Sequence, residues 1–274
     1  LWSWGDNDRG QLGDGTTTQR RSPVPIKSGT KFKQISAGYY HSLAIDNEGN
    51  LWSWGDNEYG QLGDGTTTMR TSPIQIKEET KFDEISAGYY HSLAIDNEGN
   101  LWSWGDNEYG QIGDATREKR TSPIQIKKGT KFDEISAGYY YSIAIDSQEN
   151  LWSWGQNNDG QLGDETTTDR ISPVQIKSEI KFTQISAGYR HSIAIDSEGN
   201  LWAWGNNDSG QLGNGTTTNI IIPVQIMVNT NFIQMSGGEQ HILAIDSEGK
   251  LYGVGDAYYI GDTSLLMLEP EIIN

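Results

Sequence analysis

Four histidines recur at one spacing: His41, His91, His191 and His241, with Tyr141 in the remaining slot of a fifty-residue series. Each slot follows a pair of residues: Tyr39–Tyr40, Tyr89–Tyr90, Tyr139–Tyr140, Tyr189–Arg190 and Glu239–Gln240. The stretches read GYYHS, GYYHS, GYYYS, GYRHS and GEQHI. Imidazole beside phenol suits proton transfer or metal ligation. The spacing opposes both. One histidine per repeat spreads the rings instead of converging them on one ion, and no carboxylate keeps a fixed ligand spacing with them. A structural histidine, hydrogen-bonded to backbone in the adjacent loop, fits better, and a tyrosine hydroxyl substitutes in the Tyr141 slot. Asp6, Asp8 and Asp14 lie in the Gly-rich stretch DNDRGQLGDG but lack the alternate ligand and distal glutamate of a calcium loop. The equivalent NNDSGQLGNG loses two of the three acids. His41 and Ser42 are chain neighbours that point to opposite faces of a strand, so they form no nucleophile–base pair. No phosphate-binding loop or dinucleotide fingerprint is present. The expectation is a non-enzyme with no cofactor and no metal.

The residues around these slots are strongly acidic. The chain has 274 residues, 37 acidic against 20 basic, and a formal charge of −17. Such a surface repels phosphate backbones and anionic headgroups, so nucleic acid is not an expected partner. No apolar run reaches the roughly 18 residues of a membrane helix, and membrane insertion is not expected. With no cysteine, disulfides and thiolate metal sites are excluded. Thirty-three glycines and ten tryptophans suggest short strands joined by tight turns.

The elements that position the slots are repeats. LWSWGDN begins at residues 1, 51 and 101, LWSWGQN at 151, LWAWGNN at 201, and a decayed LYGVGDA at 251. A strict period makes each copy one structural unit packed on its neighbours. Within a unit, KFKQISA (31–37) reads as a strand ending in small residues, HSLAI (41–45) as a second, and LWSW (51–54) as a third. DNEG (46–49) is the hairpin between the last two. A long Gly-rich connection leads to SPIQIK (72–77), where Pro73 suits an outer edge strand. No sustained 3.6-residue period appears, so helix content is expected to be very low.

Four antiparallel strands in about 50 residues indicate a propeller blade, hence an all-β fold. The units are a half-blade at 1–30 and blades at 31–80, 81–130, 131–180, 181–230 and 231–274, treated as one propeller domain. Ser36, Ala37 and Gly38 suit the crowded axis. Trp52 and Trp54, like Trp102 and Trp104, lie on one side of the third strand. They are expected to fill the wedge against the next blade, with Leu51 and Ser53 facing the other neighbour. The closing stretch after residue 255 lacks the loop motif, yet MLEPEII is expected to supply an outer strand of a shortened blade.

LWSWGDNEYGQLGDGTTTMRTSPIQI followed by ISAGYYHSLAIDNEGN resembles the repeat of the regulator of chromosome condensation family. That pattern is an aromatic-x-Trp-Gly segment, then Asn-x-x-Gly-Gln-Leu-Gly, then Pro, then Ala-Gly-x-x-His-Ser, and the likeness runs from residue 1 to about 255. It implies a propeller, and the family's rings usually hold seven blades. The half-blade has no inner pair within this sequence, so a parent ring of six or seven blades is expected, of which this chain is a piece. An unclosed arc leaves blade edges available for self-association.

Alternating strand direction puts two connections of each blade on one end of the propeller: those between strands one and two, and those between strands three and four. That face carries Tyr39, Tyr40, Tyr89, Tyr90, Tyr139, Tyr140, Tyr189, Arg190, Glu239 and Gln240 near the axis. Asp6, Asp8, Arg9, Glu58, Tyr59, Glu108, Tyr109, Asp159 and Asp208 lie outside them. One tyrosine of each pair either packs under the next blade's loop or stays exposed. Tyrosines beside carboxylates suit a protein-binding surface. The leading expectation is a non-enzymatic interaction propeller that binds a protein partner through this face. The resemblance adds two narrower alternatives, guanine-nucleotide exchange on a small GTPase and inhibition of a secreted enzyme of the β-lactamase type.

Overall fold

The computed structural model describes residues 1–256, 258 and 267–273. Alternating apolar and small residues, cut by glycines and hairpin signals, form short antiparallel strands throughout. β1 (Trp2–Gly5) and β2 (Arg20–Pro25) make a two-stranded half-blade. β3 (Phe32–Ala37), β4 (His41–Asp46), β5 (Leu51–Gly55) and β6 (Arg70–Ile76) make the first four-stranded blade, paired in sequence order. Three further blades repeat this order, and the last full one is β19 (Phe232–Gly237), β20 (His241–Asp246), β21 (Leu251–Gly255) and β22 (Met267–Ile272). The register recurs: Ala44 faces Trp52 and Ser42 faces Trp54, as Ala94 faces Trp102 and Ser92 faces Trp104. The outer pair is irregular between Ser53 and Gly55, where the Gly-rich connection departs. The expected outer strand MLEPEII corresponds to β22.

The core lies between blades. Leu43, Ile45, Leu51 and Ile76 of one blade pack on Phe82, Ile85, Ala94 and Trp104 of the next, all 0–4% exposed. The same joint recurs three more times. Fully burying each such side chain is worth about 1.5–3 kcal/mol. This reverses one expectation. Trp104 and Trp102 face the preceding blade, not the next, and Leu51 faces forward. The reason is a hydrogen bond: Trp54 Nε1 donates to the Gln11 carbonyl and Trp104 Nε1 to that of Gln61, each 2.8 Å away in the preceding loop.

The two tryptophans of each copy also differ in role. Trp52 Nε1 donates to Asp46 Oδ2 at 2.9 Å, while Lys27 Nζ lies 3.7 Å from its ring centre. Asp46 further accepts from the amides of Glu48 and Asn50, which closes the hairpin on the far end of the blade. These bonds outweigh burial and hold its carboxyl below the usual carboxylate range.

Candidate interaction face

Asn57 fixes the long connection of its blade. Its Nδ2 reaches Asp64 Oδ1 and the Thr66 and Thr68 carbonyls at 3.0–3.1 Å, and its Oδ1 accepts the Leu62 amide at 3.0 Å. Asp64 accepts Thr66 Oγ1 and ion-pairs with Arg70 at 2.6 Å. Desolvation opposes ionisation there, but the Thr66 and Arg70 hydrogen bonds hold the carboxyl below its ordinary range. Asn7, Asp14 and Arg20 repeat the arrangement in the half-blade. Asp14 is therefore committed to Thr16 and Arg20, while Asp8 is exposed. Among the described residues no group of three or more His, Asp or Glu side chains could hold a metal ion.

The histidines interlock neighbouring blades. His41 Nε2 lies 2.9 Å from Ser92 Oγ, and that hydroxyl donates to the Gln61 carbonyl at 2.8 Å. With its one proton used there, Ser92 must accept from His41, which fixes a neutral Nε2–H tautomer. Burial agrees, pushing the imidazole down to about 3. His91 does the same with Ser142. For His41 and His91 the side-chain partner is thus a serine of the next blade where loop backbone was expected, whereas the Tyr141 hydroxyl does take backbone carbonyls of the adjacent turn. The reason is reach: the ring lies under the Gly38 turn, where a Cβ would sit 2.5 Å from His41 Cε1. Tyr141 has the longer reach, and its hydroxyl donates to the His191 carbonyl and lies 3.2 Å from Ser192 Oγ. In the last joint Ile242 replaces the serine, so the buried His191 has no hydroxyl partner there.

This scaffold leaves the two variable positions of each turn on the loop end. The first of each pair rims the axis. Tyr39, Tyr89, Tyr139, Tyr189 and Glu239 surround a cavity of about 450 Å³ floored by the Ala and Gly of the inner turns. Tyr39 and Tyr89 stack at 4.0 Å between ring centres, Tyr89 meets Tyr139 edge-on at 4.2 Å, and Tyr139 meets Tyr189 at 4.0 Å. The second of each pair leans outward. Tyr90 stacks on Tyr59 at 4.6 Å and Tyr140 meets Tyr109 at 5.0 Å, in each case on the loop of the preceding blade. The packing considered from sequence, under the next blade's loop, therefore runs in the opposite direction. Tyr39 is 53% exposed and the others of the belt are half-buried.

Arg190 breaks the belt. It pairs with Asp159 at 3.4 Å and its guanidinium lies 5.5–5.8 Å from the Tyr189 and Tyr139 ring centres. Asp159 also accepts from Asn206 and Asn219, so this sector is a polar knot. Ser209 Oγ donates to Gln240 Oε1 beyond it. Sequence reasoning missed the Arg20–Asp14 pairs and the inner-strand acids Glu84 and Glu134. Glu84 Oε1 accepts the Ile135 amide and Glu134 Oε1 the Ile185 amide, both at 3.0 Å across blade joints. Burial pushes these carboxyls up to about 8 and about 7.

Interlocked four-stranded blades with a loop-built axial face define the class as a β-propeller. The chain belongs to the RCC1-like domain family, whose family model matches residues 1–257. It is 42% identical over 53 residues to the mitochondrial RCC1 domain-containing protein RUG3 of Arabidopsis thaliana, a match that spans 19% of this chain and 12% of that relative. Among solved structures it resembles human WBSCR16, with a TM-score of 0.86 and 20% identity, over 99% of this chain and 78% of that one. It also resembles Prp20p of Saccharomyces cerevisiae, whose structure was reported with its binding properties to Gsp1p and histones. There the TM-score is 0.86 and the identity 20%, over 100% of this chain and 74% of that one.

Proposed function

We propose that the chain is a non-enzymatic interaction propeller that binds a protein partner through its tyrosine-rich, acidic loop face. The observation that carries this reading is the belt from Tyr39 to Tyr189. It is a pre-stacked aromatic surface across four blades, held from below by the histidine–serine bonds. Mutually packed tyrosines lose little side-chain entropy on binding, and each presents a polar tip, the combination that makes hot spots. The test is quantitative capture from extracts of the source organism with wild type and with Tyr39, Tyr89 and Tyr139 all changed to Ala. Partners lost from the triple variant support the face, and an unchanged set removes it. The two narrower alternatives are read by purified assays: accelerated nucleotide release from candidate small GTPases, and inhibition of secreted β-lactamases.

A further inference from the structure

The fifth long connection departs from its sisters at one frame residue. Asp14, Asp64, Asp114 and Asp164 hold that position in the sister loops, and Asn214 holds it here, followed by Gly215 in the single Asn–Gly step of the chain. A backbone amide attacks the preceding side-chain amide most readily at such a step, because glycine has no Cβ to block the approach. The fold brings together the three parts of that reaction. The electrophile is Asn214 Cγ. Its Oδ1 accepts the Thr216 amide at 3.1 Å, Thr216 Oγ1 at 2.9 Å and Asn207 Nδ2 at 3.1 Å. Three donors on one carbonyl oxygen polarise the amide and answer the charge that grows there during attack. They also fix which end is oxygen, so Nδ2 is the end free to leave. In a sister loop the second carboxylate oxygen is held by an arginine, as Asp64 is by Arg70. Ile220 stands in the arginine's place here, and among the described residues no hydrogen bond holds Asn214 Nδ2.

The nucleophile is the Gly215 nitrogen, on a residue with φ of +78°. The base is Glu269 of β22, whose Oε1 lies 3.5 Å from where a Gly215 Cβ would sit. The sister loops at Gly15 and Gly65 have the hydroxyls of Ser72 and Ser122 in that place. Gly215 N–H donates to the Leu268 carbonyl at 2.8 Å, which ties the loop to β22, and this bond must open for the proton to pass to the neighbouring Glu269. Asn214 is half-buried and Gly215 and Thr216 are exposed, so water reaches the site.

We propose that Asn214 is a self-modification site, converted by the chain's own residues and water to aspartate or isoaspartate. Glu269 takes the Gly215 amide proton as general base, and the nitrogen bonds to Asn214 Cγ. The Cγ–Nδ2 bond breaks, and Nδ2 leaves as ammonia with the proton returned from Glu269. The cyclic imide then adds one water. Opening at Cγ gives aspartate, and opening at the backbone carbonyl gives isoaspartate. The imide nitrogen carries no hydrogen, so the bond to Leu268 is lost while the imide lasts. Aspartate restores that bond and the residue of the sister loops, and adds one negative charge to the loop face. Isoaspartate lengthens the backbone by a methylene and leaves β22 untied.

The test is incubation of the folded protein at mildly alkaline pH, beside an unstructured peptide of residues 210–218, with digestion and mass spectrometry at intervals. Asn214→Asp supplies the product standard. Asn214 is expected to gain the mass of an amide-to-acid exchange several-fold faster in the folded protein than in the peptide, while Asn207, buried in the same loop, stays unchanged. Glu269→Gln, at an exposed position, should slow the folded protein several-fold. Gly215→Ala, which copies the left-handed Ala115 of a sister loop, should also slow it. Conversion slower in the folded protein than in the peptide, conversion unchanged by Glu269→Gln, or equal conversion at Asn207 overturns the proposal.

Discussion

Changing Glu84 to Gln should stabilise the protein, and more so as pH rises. Glu84 stands on the inner strand of the second full blade, and its Oε1 accepts the Ile135 amide of the next blade at 3.0 Å. Burial, reinforced by the Glu134 and Asp133 charges, pushes its carboxyl from 4.5 up to about 8. In the unfolded chain the group ionises near 4.5, so the native state binds the extra proton at neutral pH. Its contribution is fully present below pH 4.5 and is lost as pH rises through about 8. At about 1.4 kcal/mol for each pH unit between those values, the loss has a ceiling of about 5 kcal/mol. Glu84 is only partly buried and solvent screens its charge, so about 1–3 kcal/mol is the realistic gain for the amide at pH 8. The repeat supplies the precedent, since Gln34 and Gln184 hold the same position and Gln184 Nε2 donates to the Ile233 carbonyl at 3.0 Å. The assay is urea unfolding of wild type and Glu84→Gln at pH 5 and pH 8. Near-equal midpoints at pH 5 and a clear gain for the variant at pH 8 are expected. A gain that does not depend on pH, or a variant less stable at pH 8, would refute the reasoning.

Other outcomes follow from the same joints. Ser92→Ala strands the His41 Nε2–H in the core and leaves the Gln61 carbonyl with Trp104 as its side-chain donor, and should cost about 1–3 kcal/mol in denaturant midpoint analysis. Gly63→Ala should cost more than about 2 kcal/mol, because φ there is +77° and the new Cβ would sit 2.8 Å from Trp104 Nε1. Tyr141→His restores the side chain used in the sister slots and places it within reach of Ser192, so thermal unfolding should shift by no more than about 1 kcal/mol.

Much of the fold was legible because the period is strict. Strand identity followed from alternation and turn residues, and the face shared by GYY and the long connection followed from strand direction alone. Alternation also placed Trp52 and Trp54 on one side of their strand. It could not say which neighbour that side meets, because that depends on where Gln11 and Gln61 present their carbonyls. The histidines were readable as scaffold but not as partners of serine, which needs the offset between adjacent blades. A signal for one missed element was present: Asp14, Asp64, Asp114 and Asp164 accompany Arg20, Arg70, Arg120 and Arg170, and both change together to Asn214 and Ile220. Paired change of that kind marks contact. The alternation of Gln and Glu at 34, 84, 134, 184 and 234 likewise marked a polar inner-strand position. The stacking of the tyrosine belt left no such trace, since tyrosines spaced fifty residues apart look alike whether their rings touch or splay.

The central claim, that the axial tyrosine face meets a protein, is tested most directly by site-specific photo-crosslinking. A benzophenone amino acid is placed at Tyr39 on the mouth and, in a second protein, at Glu98 on the exposed hairpins of the opposite end. A discrete crosslinked protein is expected from position 39 and is absent from position 98. Crosslinking that is equal at both ends, or confined to position 98, would contradict it.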